Sequence, residues 1–289
     1  MNAWRSGEML EVPMSEQLAR AYEGFRAAGT APAVPRLAAT VMLVRSPREV
    51  FMLRRAATMA FVPEAVVFPG GGVDPADDGA RCSWIGPDEE VWARRMGTSA
   101  DVARRVVTAA ARELFEECGV LLAGDERGVC SLDASEPAWA EERRRLVSHE
   151  TSLADVLKRH GLALRADLLG LRSHWLTPEF EPRRYDTYFF AALAPTGQEP
   201  DSRTSEADRA GWVDPQAMFD RAAQGSVRLV PPTAYNLAHL LHAPGVESFA
   251  AGVEEAGRVM QEPAGGGGGA ASCPPKGGPP PGRPPRSLK

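Results

Sequence analysis

Between Asp101 and Cys118 the chain spells a helix whose acidic residues fall on the wrong side for a solvated face. At about 100° per residue, Val106, Ala110 and Leu114 share one side. Glu113 and Glu117 lie among them, with Glu116 at the edge. A surface helix keeps its charges opposite its apolar stripe. Carboxylates turned toward a packed face lose hydration worth roughly several kcal/mol each unless a cation compensates. A hard divalent ion with oxygen ligands, above all Mg²⁺, suits that need. Arg112 is spaced to pair with Glu116 one turn on. Ser99 or Thr98 caps the start, and Gly119 marks the end. The same letters also suit an ordinary Ala- and Glu-rich surface helix, so an upstream segment has to decide.

That segment is Phe68-Pro69-Gly70-Gly71-Gly72-Val73-Asp74, at the end of a short β-branched strand. Three glycines in a row leave backbone amides and carbonyls with no side chains in the way. A lone Gly-Gly is usually just a turn. A strand, this turn, an acidic stretch and then Arg-Glu-Leu-Phe-Glu-Glu-Cys-Gly-Val make a stronger case for one site built from two distant halves.

Strands are expected at Leu37 to Val44, Val50 to Leu53, Val66 to Phe68, Leu168 to Leu176, Tyr185 to Leu193 and Ala210 to Val213. Helices are expected at Ser15 to Ala28, Asp101 to Cys118, Pro137 to Val147, Leu153 to His160, Pro215 to Ala223 and Pro232 to Leu241. Asp77 to about Met96 reads as polar and irregular. The fold class is α/β: an α/β/α sandwich around a mixed sheet, with a helical insertion. In domain terms, 1–35 is a helix and linker, 36–245 the main domain with insertions at about 78–100 and 136–162, and 246–262 a C-terminal helix. Residues 263–289, rich in Gly and Pro, are expected to be disordered.

A net charge of −5 argues against broad nucleic-acid or anionic-membrane binding. None of the four cysteines has metal-ligand spacing, which fits free thiols in a reducing cytoplasm. Met1 to Pro13 lacks the apolar core of a secretory signal, and no apolar run has the length of a membrane span. His239 and His242 are spaced for a metal pair but lack an acidic or thiol partner nearby in sequence, so a structural role is favoured.

The two halves together resemble the signature of the Nudix hydrolase superfamily, G-x5-E-x7-R-E-U-x-E-E-x-G-U. Gly71 matches the first glycine, and Arg112, Glu113, Leu114, Glu116, Glu117, Gly119 and Val120 match the second half. Asp77 stands where the signature has its first glutamate, and residues 78 to 111 occupy a spacing that is normally seven. The coenzyme A diphosphatase-like branch is similar in carrying such an insertion. Further resemblance to that branch lies in His174-Trp175-Leu176-Thr177-Pro178, Arg183 to Phe190 and Thr204 to Ala207.

The resemblance implies a hydrolase, dependent on Mg²⁺ or Mn²⁺, that cleaves the diphosphate of a small-molecule nucleoside diphosphate derivative, coenzyme A or acyl-coenzyme A included. It implies Glu113, Glu117 and Glu116 as metal ligands, with a backbone carbonyl at Gly70 or Gly71. The general base is open: Glu206 is the candidate outside the box, and Glu113 or Glu116 are alternatives. Arg54, Arg55, Arg183 and Arg184 are candidate phosphate clamps because guanidinium groups pair bidentately with phosphate. Trp175 and Tyr185 are candidates to stack a base, though strand aromatics are more often core. Two other readings stand beside this one. One is a catalytically silent Nudix fold that binds a nucleotide, and the other is an interaction protein using its proline-rich tail.

Overall fold

The computed structural model describes residues 12–13, 16–55, 65–78, 82–201, 207–252, 258–260, 262–263 and 270–272. Its centre is the strand Arg36–Arg45, a near-continuous apolar run because both of its faces are covered. Ala39, Val41 and Leu43 point into one core, and Met42 and Val44 into a second core on the other side. Tyr185–Leu193 runs parallel to it along one edge, and Gly170–Leu176 then pairs antiparallel with Tyr185–Leu193. On the other edge Glu49–Arg55 forms a hairpin with it, followed by Ala207–Val213. Two short strands, Val66–Val67 and Gly70–Gly72, pair with Glu49–Arg55 and Arg36–Arg45 respectively. The sheet is mixed, as expected, and helices lie on both faces.

The helix Ala100–Cys118 covers the first face. It starts at Ser99, whose hydroxyl accepts from the Val102 amide at 3.3 Å, and stops at Gly119, whose φ is +74°. A β-carbon at Gly119 would lie 2.7 Å from that of Ala134. Gly119→Ala is therefore expected to cost about 1–3 kcal/mol, from left-handed strain plus the clash. A urea midpoint measures it. The helix is buried almost all round rather than along one stripe. The sheet, the helix Glu89–Met96 and the helix Pro137–Val147 all pack against it. Phe115 meets Trp139 edge-on at 6.2 Å, and this contact couples the last of these to it.

The helix Glu89–Met96 corrects the expectation of an irregular stretch there. Asp88 caps it through the Val91 amide, and Gly97 closes it with φ +64°. Only Trp92 and Met96 of the octet are buried, one turn apart, and Trp92 docks edge-on against Phe190 at 5.8 Å. Arg104 ties this insertion to the long helix: it bonds Glu89 at 2.5 Å and the Cys82 carbonyl at 3.2 Å, and lies over Trp84. Trp84–Ile85 joins Ala163–Arg165, Ala123–Asp125 and Gly128–Val129 in a small second sheet.

The helices Pro215–Ala223, Pro231–His242 and Val246–Ala251 cover the second face, supplying Met218, Leu237, Leu240, Val246, Phe249 and Ala250 to its core. Val12–Pro13, Glu262–Pro263 and Ala270–Ser272 form a separate three-stranded ribbon. The rest of the tail expected to lack order lies outside the described residues. Among the described residues no helix is long and apolar enough to cross a membrane.

Candidate active site

The glycine strand and the acidic turn of the long helix meet. Gly70, Gly71 and Gly72 pair with Thr40, Ala39 and Ala38 in the sheet, and Gly71 faces the long helix. The Gly70 amide donates to a Glu117 carboxylate oxygen at 2.6 Å. A β-carbon at Gly71 would sit 2.5 Å from Glu113 Oε1, and one at Gly70 would collide with the Ala39 carbonyl and the Thr40 backbone. Glycine is needed at both positions for the helix to bring its carboxylates against the backbone. The alanines just upstream, Ala109 to Ala111, are fully buried and allow the same close approach.

Arg112 organises the acids. Its guanidinium grips Asp77 with two parallel bonds, of 2.9 and 3.0 Å. It also donates to Glu113 at 3.0 Å, to Glu116 at 3.0 Å and to the Gly72 carbonyl at 2.8 Å. These partners hold it firmly in its charged form against a strong desolvation effect. Asp77, whose side chain is 1% exposed, thus takes a definite place despite departing from the signature. It is one methylene shorter than glutamate, and it sits on the 3₁₀ turn Pro75–Asp78, which packs against the long helix. The Asp77 amide donates to the Asp74 carbonyl at 3.0 Å, and the Asp74 amide donates back to the Asp77 carboxylate at 2.8 Å.

Among the described residues the Arg112 guanidinium faces Asp77, Glu113 and Glu116 directly, and Glu117 lies beside them on the Gly70 amide. Burial pushes the Glu116 carboxyl above the usual carboxylate range, and Arg112 only partly offsets this. Glu116 Oε1 is buried with no hydrogen-bond partner among the described residues. A buried acceptor left this way costs about 1–3 kcal/mol. The donor set is hard oxygen throughout, so the residues fit a divalent cation of the Mg²⁺ type. As the side chains stand, they turn toward Arg112 and the Gly70 amide. No three acidic, histidine or cysteine side chains among the described residues converge into a closed cage.

Two residues that sequence reasoning passed over support this site. Arg143, on the helix Pro137–Val147, donates to the Glu116 carbonyl at 2.8 Å and to Asp201 at 2.8 Å. The Asp201 amide in turn bonds the Cys118 carbonyl at 2.9 Å, so the end of the acidic helix is braced from outside. His149 lies 3.4 Å from Asp74. Neither contact leaves a local signal, because each joins positions at least 27 residues apart.

The other expected residues are placed differently. Glu206 and the side chain of Arg55 lie outside the described residues. Arg54 stands opposite Val66 and Arg209, and Val66 belongs to the second core. By strand alternation it is on the sheet face away from Glu113. Arg183 is exposed. Arg184 is buried, and its guanidinium donates to the carbonyls of Thr177 at 3.0 Å and Ala33 at 2.9 Å, tying the linker to the sheet. Trp175 is buried in the second core, with its indole N–H on the Ser173 hydroxyl. Tyr185 is half-buried on the strand next to Arg184. His239 packs on Tyr235 at 4.2 Å, while His242 bonds the Ala238 carbonyl at 2.7 Å. Among the described residues neither belongs to a group of three or more acidic, histidine or cysteine side chains that could hold a metal.

Residues 87–240 match the family model of the NUDT19 Nudix domain. A Caenorhabditis elegans relative, nudix hydrolase 7 by name, is 31% identical over 206 residues, covering 71% of this chain and 60% of the relative. A chicken (Gallus gallus) relative, named acyl-coenzyme A diphosphatase NUDT19, is 28% identical over 233 residues, covering 66% and 61%. The chain spans about 60% of the length of these curated relatives. Among solved structures, the crystal structure of a NUDIX hydrolase from Alicyclobacillus acidocaldarius superposes with a TM-score of 0.64 at 28% identity. It covers 78% of this chain and 99% of that one.

Proposed function

The chain belongs to the Nudix family, in its NUDT19 Nudix domain branch, and from that membership we propose that it hydrolyses the diphosphate bond of a nucleoside diphosphate derivative with the help of a divalent metal ion. The observation that carries the proposal is the convergence of buried carboxylates, Glu113, Glu116 and Glu117, on the glycine strand, with Glu116 Oε1 buried and without a hydrogen-bond partner among the described residues. Glu113, Glu116 and Glu117 would hold the ion, together with the Gly71 carbonyl. When bound, Mg²⁺ supplies neutralising charge for the phosphate oxygens and lowers the pKa of a coordinated water.

The chain's own residues do the positioning. Arg112 fixes the rotamers of Glu113 and Glu116, the Gly70 amide fixes Glu117, and Arg143 holds the end of the helix that carries all three. The proton from the attacking water goes to a carboxylate, either Glu116 through its partnerless oxygen or Glu206. Glu116→Gln and Glu206→Gln separate the two, since only loss of the base flattens the acidic limb of the pH–rate profile. The substrate class we favour is coenzyme A or an acyl-coenzyme A, on the strength of the name of the chicken relative. The silent-fold reading drew its support from Asp77 and from the insertion. With Asp77 bonded to Arg112 and the insertion packed on the helix, it loses that support.

A turnover screen of coenzyme A, acetyl-coenzyme A, NADH, ADP-ribose and nucleoside triphosphates, with Mg²⁺ or Mn²⁺, tests the proposal. Cleavage of at least one diphosphate, abolished by a chelator, is expected. No phosphorylated product from any of them would overturn it.

Glycine substitutions give a sharper prediction. Gly71→Ala places its new methyl against the flexible end of Glu113, which can swing aside. Stability should fall by less than about 1 kcal/mol, while turnover drops by about 10²-fold because a ligand moves by an ångström or so. Gly70→Ala meets fixed backbone instead, so its stability should fall by several times more. Paired melting curves and rates distinguish the two.

A further inference from the structure

His149 is not part of the signature, yet the structure sets it beside Asp74, whose amide bonds the Asp77 carboxylate that Arg112 grips. It follows the helix Pro137–Val147 with φ +55°, and no other non-glycine residue among those described has positive φ. Its amide bonds the Leu146 carbonyl at 2.8 Å, and the Glu150 amide bonds the Arg145 carbonyl at 2.8 Å. That is a left-handed helix stop, where glycine or asparagine is the ordinary choice. A residue with a β-carbon and a ring is strained there. Packing does not account for the histidine, because its side chain is 69% exposed. Strain retained without packing gain is a marker of function.

The surroundings show what the ring faces. Nδ1 lies 3.4 Å from Asp74 Oδ2. Asp74 is itself fixed, with Oδ1 accepting from the Ala76 amide at 2.7 Å and its amide donating to Asp77 at 2.8 Å. Asp77 is held by Arg112, which also holds Glu113 and Glu116. An unbroken set of contacts therefore runs from His149 through Asp74, Asp77 and Arg112 to the acidic cluster. The neighbouring acid Glu150 is occupied by Arg144 and Ser148. With Nδ1 turned to Asp74, the outer nitrogen Nε2 has no hydrogen-bond partner among the described residues.

A diphosphate bound at this site brings more negative charge to a place already rich in it. Arg112 is committed to the protein's own carboxylates, so a donor at the rim can meet the added charge. We infer that His149 is a substrate-binding residue whose Nε2 contacts a phosphate oxygen of the diphosphate, with Asp74 orienting the ring from behind. The inference rests on the function proposed above and adds a group that reads the anion directly.

The test uses the full chain, with His149→Gly and Asp74→Asn beside the wild type. The probe is α,β-methylene-ADP, a non-hydrolysable diphosphate, titrated calorimetrically in Mg²⁺. Melting temperature and steady-state kinetics on a hydrolysed diphosphate complete the set. Relief of the left-handed strain should raise the melting temperature of His149→Gly by about 1–4 °C. The same variant should bind the analogue about tenfold more weakly and raise KM about tenfold, with kcat within about twofold. Asp74→Asn should show a smaller loss of the same kind. Unchanged affinity in His149→Gly overturns the inference. So does a lowered melting temperature, which would mark the ring as structural, and so does a wild type that fails to bind the analogue. If the wild type binds the analogue in a His149-dependent way but hydrolyses no diphosphate, the inference stands and only the proposed catalysis falls.

Discussion

Replacing Arg112 with methionine should lower the free energy of unfolding by about 3–5 kcal/mol, the range for stripping one partner from a buried ion pair. The side chain is 7% exposed and its bonds to Asp77, Glu113, Glu116 and the Gly72 carbonyl all go at once. Methionine matches the length of the stem but leaves three acids facing one another in a poorly hydrated place. A domain of this size has roughly 5–15 kcal/mol in total, so a large share of the native stability is at risk. The urea midpoint should drop by about 2 M at an ordinary denaturant slope. Adding Asp77→Asn should restore part of the loss, because it removes the carboxylate that Arg112 holds with two bonds. Lysine at 112 should fall between, since it keeps the charge and loses the fork. An unchanged midpoint in Arg112→Met would show that the acids are not held as described.

Glu117→Gln should behave in the opposite way, with stability kept and turnover lost. Its acceptor oxygen bonds the Gly70 amide at 2.6 Å, and glutamine still offers an oxygen there. Its volume is the same. What disappears is one negative charge of the proposed metal site. The expected loss is about 10²–10³-fold in kcat, the scale found when a group stabilising transition-state charge is removed. The melting temperature should move by no more than about 2 °C. Rates within tenfold of wild type would remove Glu117 from the proposed ligand set.

Much of this was legible in the chain itself, and the reasons are physical. The strand Arg36–Arg45 is apolar on both faces because both are covered, so it stood out as a long hydrophobic run. The carboxylate helix announced its ends through Ser99 and Gly119 and its inward acids through phase, and Glu113 and Glu117 are buried against the glycine strand. The helix Glu89–Met96 did not stand out, because four of its eight residues are charged and only Trp92 and Met96 are buried. Its Asp88 and Gly97 caps were the available signal. The two-residue strand Trp84–Ile85 owes its existence to Leu164 and Arg165, far along the chain, and has no pattern of its own. Arg184 looked like a phosphate clamp by type, and only the folded chain places it on the Thr177 and Ala33 carbonyls. Arg143 and His149 were invisible for the complementary reason, since their partners are contributed by other elements.

The central claim is that two halves of a signature, set apart by residues 78 to 111, close into one divalent-cation site. Mn²⁺ binding followed by electron paramagnetic resonance tests it without requiring turnover or knowledge of the substrate. The wild type should bind one ion tightly, Gly71→Ala should bind it more weakly, and Glu113→Gln/Glu117→Gln should not bind it, with all three proteins folded. Equal Mn²⁺ binding in the wild type and the double variant would contradict the account.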